Sequence, residues 1–312
     1  MMRLYKPELV TTASSLDELQ KVIDAGADAV IIGEQRYGMR LSGEFPIGKI
    51  YEAVAIAHNQ GAKVYVSVDK LMNNEVIKGL PDYLRSLAEH QVDAIIFGDP
   101  AVLQVHKHIQ SNLTLHWSSE MTATNYATAN FWADRGAKRV IAPRELNMEE
   151  IIEYRRHCRI EIQVQVHGLT NIYHSLRHLV GSYLERQSIP YESSSYGMDK
   201  GLYLIEEERQ ELLHPVYEDH NGTHIMSADD ICMLENLPEL IDSGAQSFKI
   251  EGLLKSTPYQ IAVVRAYRSA IDQYMSNPSG YVENPEWLAS IQQLQDPRRE
   301  LTFGFFYKEQ VY

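Results

Sequence analysis

A (β/α)8 barrel of the TIM type, α/β and parallel, with an insertion between its seventh and eighth strands, is the fold this sequence predicts. Three observations carry the expectation. First, one phrase recurs as AGADAVIIG (25–33), HQVDAIIFGD (90–99), RGAKRVIAPRE (135–145) and SGAQSFKIEG (243–252). Each copy closes a helix at a turn residue, often glycine, and runs into a short apolar strand. Second, four more apolar runs lie between the copies: LVTTAS (9–14), AKVYVSVD (62–69), LTLHWSSE (113–120) and IEIQVQVHG (160–168). Third, amphipathic stretches such as SLDELQKVIDAG (15–26) and MEEIIEYRRHC (148–158) separate most of them. Short apolar strands alternating with helices describe a parallel sheet covered on both faces. Eight such units close a barrel. A doubly wound open sheet is the alternative, but no GxGxxG follows the first strand and the unit recurs too evenly.

The even spacing breaks after the seventh strand. A polar region (188–223) and a predicted helix, SADDICMLENLPELIDSG (227–244), intervene before the eighth. The expected organisation is therefore a barrel over 1–275 with an insertion at 169–226, and a C-terminal extension, 276–312, packed on the barrel. A barrel carries its chemistry on the loops that follow its strands, so the insertion falls where a lid or specificity region would sit.

Composition narrows the partners. An apolar fraction of 44% and a charged fraction of 23% are those of a soluble globular chain. No apolar run is long enough for a membrane helix, and MMRLYKPELV has no apolar h-region, so a cytoplasmic location is expected. Two cysteines, Cys158 and Cys232, lie outside any CxxC and predict neither a disulfide framework nor a cysteine-rich metal site. With 42 acidic against 29 basic residues, strong nucleic-acid binding by this chain alone is not expected, although Arg155, Arg156 and Arg159 form a local basic patch.

In a barrel, polar residues after the strands gather on one face. The sequence places Glu8, Glu34, Asp69, Asp99, Glu120, Glu145, His167 and Glu251 there, with Lys70, Arg144 and Lys249 among them and Arg40 on the second βα loop. The expected pocket takes a polar, anionic small molecule. Arg40, Arg144, Lys249 and Lys255 are its anion grips, with Asn125 as a further substrate contact. His167, Glu251 and Glu120 are the acid/base candidates. Ion pairing around a solvated rim is the competing explanation for each charge. His174 and His178 are four residues apart and would share a helix face, so they are candidate metal ligands, with His167, Asp199 or Glu192 as a third. No GxSxG or HExxH is present.

These phrases, with RYGMR, LHWSSEMTATNYATANFW (115–132), RVIAPRELNMEEI (139–151), NGTHIMSADDI (221–231), KIEGLLKS (249–256) and TFGFFY (302–307), make the chain resemble peptidase family U32, the collagenase-like proteases. The family name implies proteolysis. Better understood members imply prephenate-dependent hydroxylation, including 5-hydroxylation of the tRNA wobble uridine, often with a four-cysteine iron–sulfur cluster. The first two cluster cysteines follow HGxxCxxxxxxC, and here Asn171 and His178 take their places. Asn and a single His cannot replace four thiolates, so no cluster is expected in this chain. Glu120 stands where relatives usually have Gln, and Leu253 where many have Arg. The resemblance implies the short member of a pair found in Gram-positive bacteria. Such a member would act in the cytoplasm with a longer paralogue that supplies most of the tRNA contact. A metal-assisted peptidase and a non-catalytic scaffold for a cluster-bearing paralogue are the alternatives.

Overall fold

The computed structural model describes residues 5–119, 123–189 and 196–309. Seven strands come first: β1 (Glu8–Thr12), β2 (Ala29–Gly33), β3 (Lys63–Val68), β4 (Ala94–Phe97), β5 (Leu115–Ser118), β6 (Ala137–Ile141) and β7 (Glu161–Gly168). Helices α1 (Leu16–Asp24), α2 (Ile47–Asn59), α3 (Asn74–Glu89), α4 (Pro100–His108), α5 (Tyr126–Ala133) and α6 (Met148–His157) alternate with them. Local chemistry sets the helix starts. Ser15 accepts from the Glu18 amide, Asp99 from the Ala101 amide just before Pro100, and Asn147 and Glu150 form a reciprocal capping box.

After β7 the chain leaves the barrel. Strands β8 (Asn171–Ser175), β9 (Leu202–Ile205), β10 (Leu213–Asp219) and β11 (Gly222–Met226) form a separate antiparallel sheet in the order β8-β11-β10-β9, with α7 (Leu179–Arg186) beside it. The chain then returns through β12 (Asp230–Cys232), α8 (Leu237–Asp242), β13 (Ser247–Ile250), α9 (Thr257–Ser276), α10 (Pro285–Gln292) and β14 (Leu301–Thr302). Strand β13 pairs in parallel with both β1 and β7, which closes the eight-stranded barrel the sequence predicts.

The helix expected over 227–244 is corrected. Its first part is β12, antiparallel to the end of β7 and parallel to β14. Only Leu237–Asp242 is helical, with Pro238 in its first turn. Proline suits a first turn, where its missing N–H costs nothing, and breaks a helix begun ten residues earlier. Cys232 is therefore on a strand.

Outward-facing strand residues and the inner faces of the helices share one large core, including Leu9, Val64, Ile95, Trp117, Val164 and Phe248. Inside the barrel a smaller cluster stacks: Val10, Ala29, Ile31, Tyr65, Ala94, Ile96 and Ile141. Beneath it lies a buried ion network. Arg139 on β6 reaches across to Glu8 on β1 at 2.5 Å and pairs with Glu161 at 2.7 Å. Tyr65 donates to Glu8 at 2.7 Å, and Lys63 stands 3.0 Å from it. Glu8 opens β1, so it lies at the end opposite the strand C-termini, and the sequence-based placement on the active rim is wrong for this residue. Burial raises the Glu8 pKa, but Arg139, Tyr65 and Lys63 together outweigh it and hold the carboxyl below its usual range.

Removing one member of a buried pair strands the other, at a cost of roughly 3–5 kcal/mol. Glu8→Gln should lower unfolding stability by about that amount at pH 7 in urea titrations. Because Glu8 titrates lower in the folded chain, its contribution is full above its unfolded pKa and is lost as pH falls. The gap between wild type and variant should therefore narrow below about pH 4.5.

Candidate functional site at the barrel mouth

The mouth is built around one irregularity. Gln163 and Gln165 of β7 pair with Ser247 and Lys249 of β13, but the next partner of Ile250 is His167. The extra residue is a β-bulge, and it turns His167 out of the alternation that would have aimed it inward. His167 is completely buried on the outer side. Its Nε2 lies 2.8 Å from the Tyr259 hydroxyl and its Nδ1 3.5 Å from that of Tyr267, both on α9. Burial depresses its pKa to about 3, so it is a neutral core histidine and lines neither cavity described below. Gly168, at φ +96°, then lets β7 pass Glu251, where a Cβ would come within 2.2 Å of the Glu251 carbonyl oxygen.

On the inward side the bulge leaves Lys249 and Glu251 facing the mouth, with Nζ and Oε2 2.9 Å apart. Glu251 Oε1 accepts from the Leu253 amide at 3.0 Å and from the Thr12 hydroxyl at 3.4 Å. Asp69 accepts from Ser67 at 2.7 Å and from the Met39 amide at 3.0 Å, which anchors the loop carrying Arg40. Arg40 takes a left-handed backbone, φ +51°. Arg144 lies 3.6 Å from Glu145. The sequence-predicted grips Arg40, Arg144 and Lys249 thus meet at one small cavity of about 50 Å3, with Asp69 and Glu251. Three cations and two carboxylates line it, with Glu145 beside Arg144 and Glu251 beside Lys249. The cap over this cavity comes from the insertion and the loop after β13: Leu169, Tyr217, Met226 and Leu253 pack together there.

Other candidates fall elsewhere. Asn125 caps α5 by accepting from the Thr128 amide at 2.9 Å and does not line the mouth. Asp99 caps α4 and accepts from the Met72 amide at 2.8 Å. Glu34, Lys70 and Glu145 line neither cavity. Glu120 and Glu192 lie outside the described residues. His174 and His178 do not share a helix face: His174 is on β8 and bonds the Asn221 carbonyl at 2.8 Å, while His178 precedes α7 and stands 3.5 Å from Glu218. Among the described residues no group of three His, Cys, Asp or Glu could hold a metal. Cys158 and Cys232 are both buried, and burial pushes the Cys232 thiol up to about 11. A thiolate nucleophile is not available there.

Lys255 belongs to a second, larger cavity of about 560 Å3, which shares Ser42 and Leu169 with the first. Lys255 and Arg299 both pair with Asp230, which is fully buried on β12, the Arg299 contact being 2.7 Å. Gln295 Nε2 also reaches Asp230, at 2.7 Å. This clamp ties the segment before β14 to the barrel and makes it a cavity wall. The sequence offered little sign of the roles of Asp230, Arg299 or Tyr217: their partners are distant in the chain, and NGTHIMSADDI, which contains Asp230, does not announce them.

The family model for peptidase family U32 matches residues 14–311. The chain is 45% identical to tRNA hydroxylation protein P2 of Bacillus subtilis (strain 168), over 99% of this chain and 100% of that one. It is 33% identical to tRNA hydroxylation protein P1 of the same organism, over 98% of this chain and 74% of that one. Among solved structures, that of the U32 peptidase Mk0906 superposes with a TM-score of 0.51 at 16% identity, covering 80% of this chain and 94% of the other, which speaks to the fold.

Two measurements check these assignments. Asp230→Asn should destabilise the chain by roughly 3–5 kcal/mol and expose 294–309 to proteolysis. His167 is harder to protonate when folded, so its contribution is full above its unfolded pKa of about 6.5 and falls as pH drops toward 3. His167→Gln should remove up to about 1.4 kcal/mol per pH unit from the stability slope in that window.

Proposed function

The chain belongs to peptidase family U32, and on that premise we propose that it is a subunit for 5-hydroxylation of the tRNA wobble uridine rather than a protease. The observation that carries the reading is the likeness along the whole of both chains to a tRNA hydroxylation protein. The site agrees with it. The mouth gathers anion grips and carboxylates, no histidine or cysteine is among its described lining residues, and His174 and His178 are not arranged to share a metal.

In this proposal a longer paralogue is the partner. Bacillus subtilis has both a P1 and a P2 protein, and the longer P1 is matched over only 74% of its length. A charge of −13 also favours a complex in which the partner meets most of the RNA phosphates. The four thiolates of an iron–sulfur cluster do not fit this chain. Asn171 lines the mouth, His178 faces Glu218, and the two cysteines sit on α6's end and on β12. Any cluster would be held by the partner. A small dicarboxylate such as prephenate suits a mouth that gathers Arg40, Arg144 and Lys249.

Nucleoside mass spectrometry of tRNA from a strain lacking the chain should show loss of 5-hydroxyuridine derivatives. Unchanged levels would end the reading. Complementation with Arg144→Ala separates catalyst from scaffold. A substrate-gripping role predicts a drop of roughly tenfold to a hundredfold, matching the ~1.5–3 kcal/mol of a charge-assisted hydrogen bond, whereas a scaffold keeps full activity.

A further inference from the structure

The antiparallel sheet of the insertion has one face toward the barrel and one away from it. Tyr217 packs with Leu169, Met226 and Leu253 over the mouth, His224 stacks on Tyr217 and His174 on His224, so these residues mark the barrel side. Alternation puts their strand neighbours on the far side. There Tyr173, Ile225, Val216 and Leu202 stand opposite one another in a single row across all four strands. Leu204, two residues along β9, shares that side. An antiparallel sheet carries polar residues on a face left to water, and this row is apolar.

Helix α7 lies on the same far side. Glu218 accepts from the Val180 amide at 2.8 Å and Thr223 from the Leu179 amide at 2.8 Å, and both alternate with the apolar row. The helix buries Gly181, and a different stripe carries Leu179, Tyr183 and Arg186. A stripe left to solvent would be polar. Tyr183 is 62% exposed, Leu176 just before the helix 70%, Tyr173 47% and Leu204 49%. With Leu179 they leave on the order of 600 Å2 uncovered, at the top of the ~300–600 Å2 for the largest apolar patch of a typical monomer. Each side of a standard interface buries about 800 Å2. PYESSS (190–195), the segment that follows, has too few apolar side chains to provide a second layer.

The charges around this face select its occupant. The β9–β10 turn, EEERQE (206–211), leaves Glu207, Glu208 and Glu211 exposed and outside any ion pair among the described residues, while Glu206 is held by Arg209. This turn lies where β9 stops and β10 begins. Arg177 lies past Ser175, at the other end of the sheet and on the opposite edge strand, β8. Arg177 and Arg186 are exposed and meet no carboxylate among the described residues. Acidic and basic groups at diagonally opposite corners make the face complementary to itself, because a two-fold axis along the other diagonal lays each corner on its opposite. We propose that a second copy of the chain docks on this face. In the two-fold dimer Leu179 and Tyr183 of the two α7 helices pack together, and Arg177 and Arg186 of each copy oppose the 206–211 turn of the other. Tyrosine and arginine are the residues that carry most of the energy of such contacts. The dimer goes beyond the tRNA-hydroxylation reading and does not depend on it, since the face is on the side of the sheet away from the mouth.

The test is the mass of the purified full chain in solution, read by light scattering and sedimentation equilibrium from about 1 to 100 μM. Twice the mass of one chain is expected. Tyr183→Asp places a charge in the apolar contact and should give a monomer with unchanged circular dichroism, because this side chain is exposed in the single chain. Arg177→Glu with Arg186→Glu should raise the dissociation constant at least about tenfold by setting like charges together. Adding Glu207→Lys and Glu208→Lys to that variant should restore the dimer, which a general loss of folding could not do. A monomer throughout the concentration range, a dimer that Tyr183→Asp leaves intact, or a charge reversal without rescue would each overturn the assignment. A chain that pairs only with its longer paralogue would give the face to that partner and overturn it too.

Discussion

One extra residue in β7 decides what the barrel mouth contains. Without the bulge opposite Lys249–Ile250, strict alternation would point His167 inward with Gln163 and Gln165. With it, His167 enters the outer core against Tyr259 and Tyr267, and the mouth is left to Lys249 and Glu251. The same bulge lets β7 overrun the barrel, where β12 pairs with its end and the insertion begins. The titratable rim, the cap and the second cavity all follow from that register. A slip of one residue would exchange a neutral histidine for a charged pair in the core, which burial makes prohibitive.

Charge is segregated along the barrel. The far end is closed by Arg139, a buried cation satisfied by two carboxylates from β1 and β7, with Lys63 and Tyr65 completing the shell. That network is structural, because each partner is committed to another chain segment. The mouth gathers Arg40, Arg144 and Lys249 with Asp69 and Glu251, and at the neighbouring cavity Lys255 and Arg299 are both held by the buried Asp230. Three compartments with different electrostatics therefore sit within one domain.

Much of this was legible in the sequence. All eight barrel strands follow from the recurrent phrase and the four apolar runs between its copies, because parallel strands buried on both faces are written as unbroken apolar runs bounded by turn residues. Arg40, Arg144, Lys249 and Glu251 could be placed at the mouth for the same reason. The misreadings have physical causes. A bulge is invisible to a period-two argument, so His167 was aimed the wrong way. Glu8 begins its strand rather than ending it, and an acidic residue beside an apolar run looks alike at either end. The His174–His178 spacing suggested a helix, but Asn171–Ser175 pairs with β11 as a strand. Tertiary pairing overrides local spacing there. Asp230, Arg299 and Tyr217 act on partners far along the chain, and no local pattern announces that.

The clamp on Asp230 also makes one wall of the larger cavity depend on the end of the chain. The barrel needs only neighbouring βα units and the return of β13 to β1. The larger cavity needs Ser42, Leu169, Tyr217, Lys255 and Arg299, drawn from nearly the full span of the chain, with Arg299 meeting an aspartate 69 residues earlier. A chain with a finished barrel and an unlatched Asp230 would be compact yet lack that wall. The larger cavity is thus complete only when Arg299, near the end of the described chain, is in place.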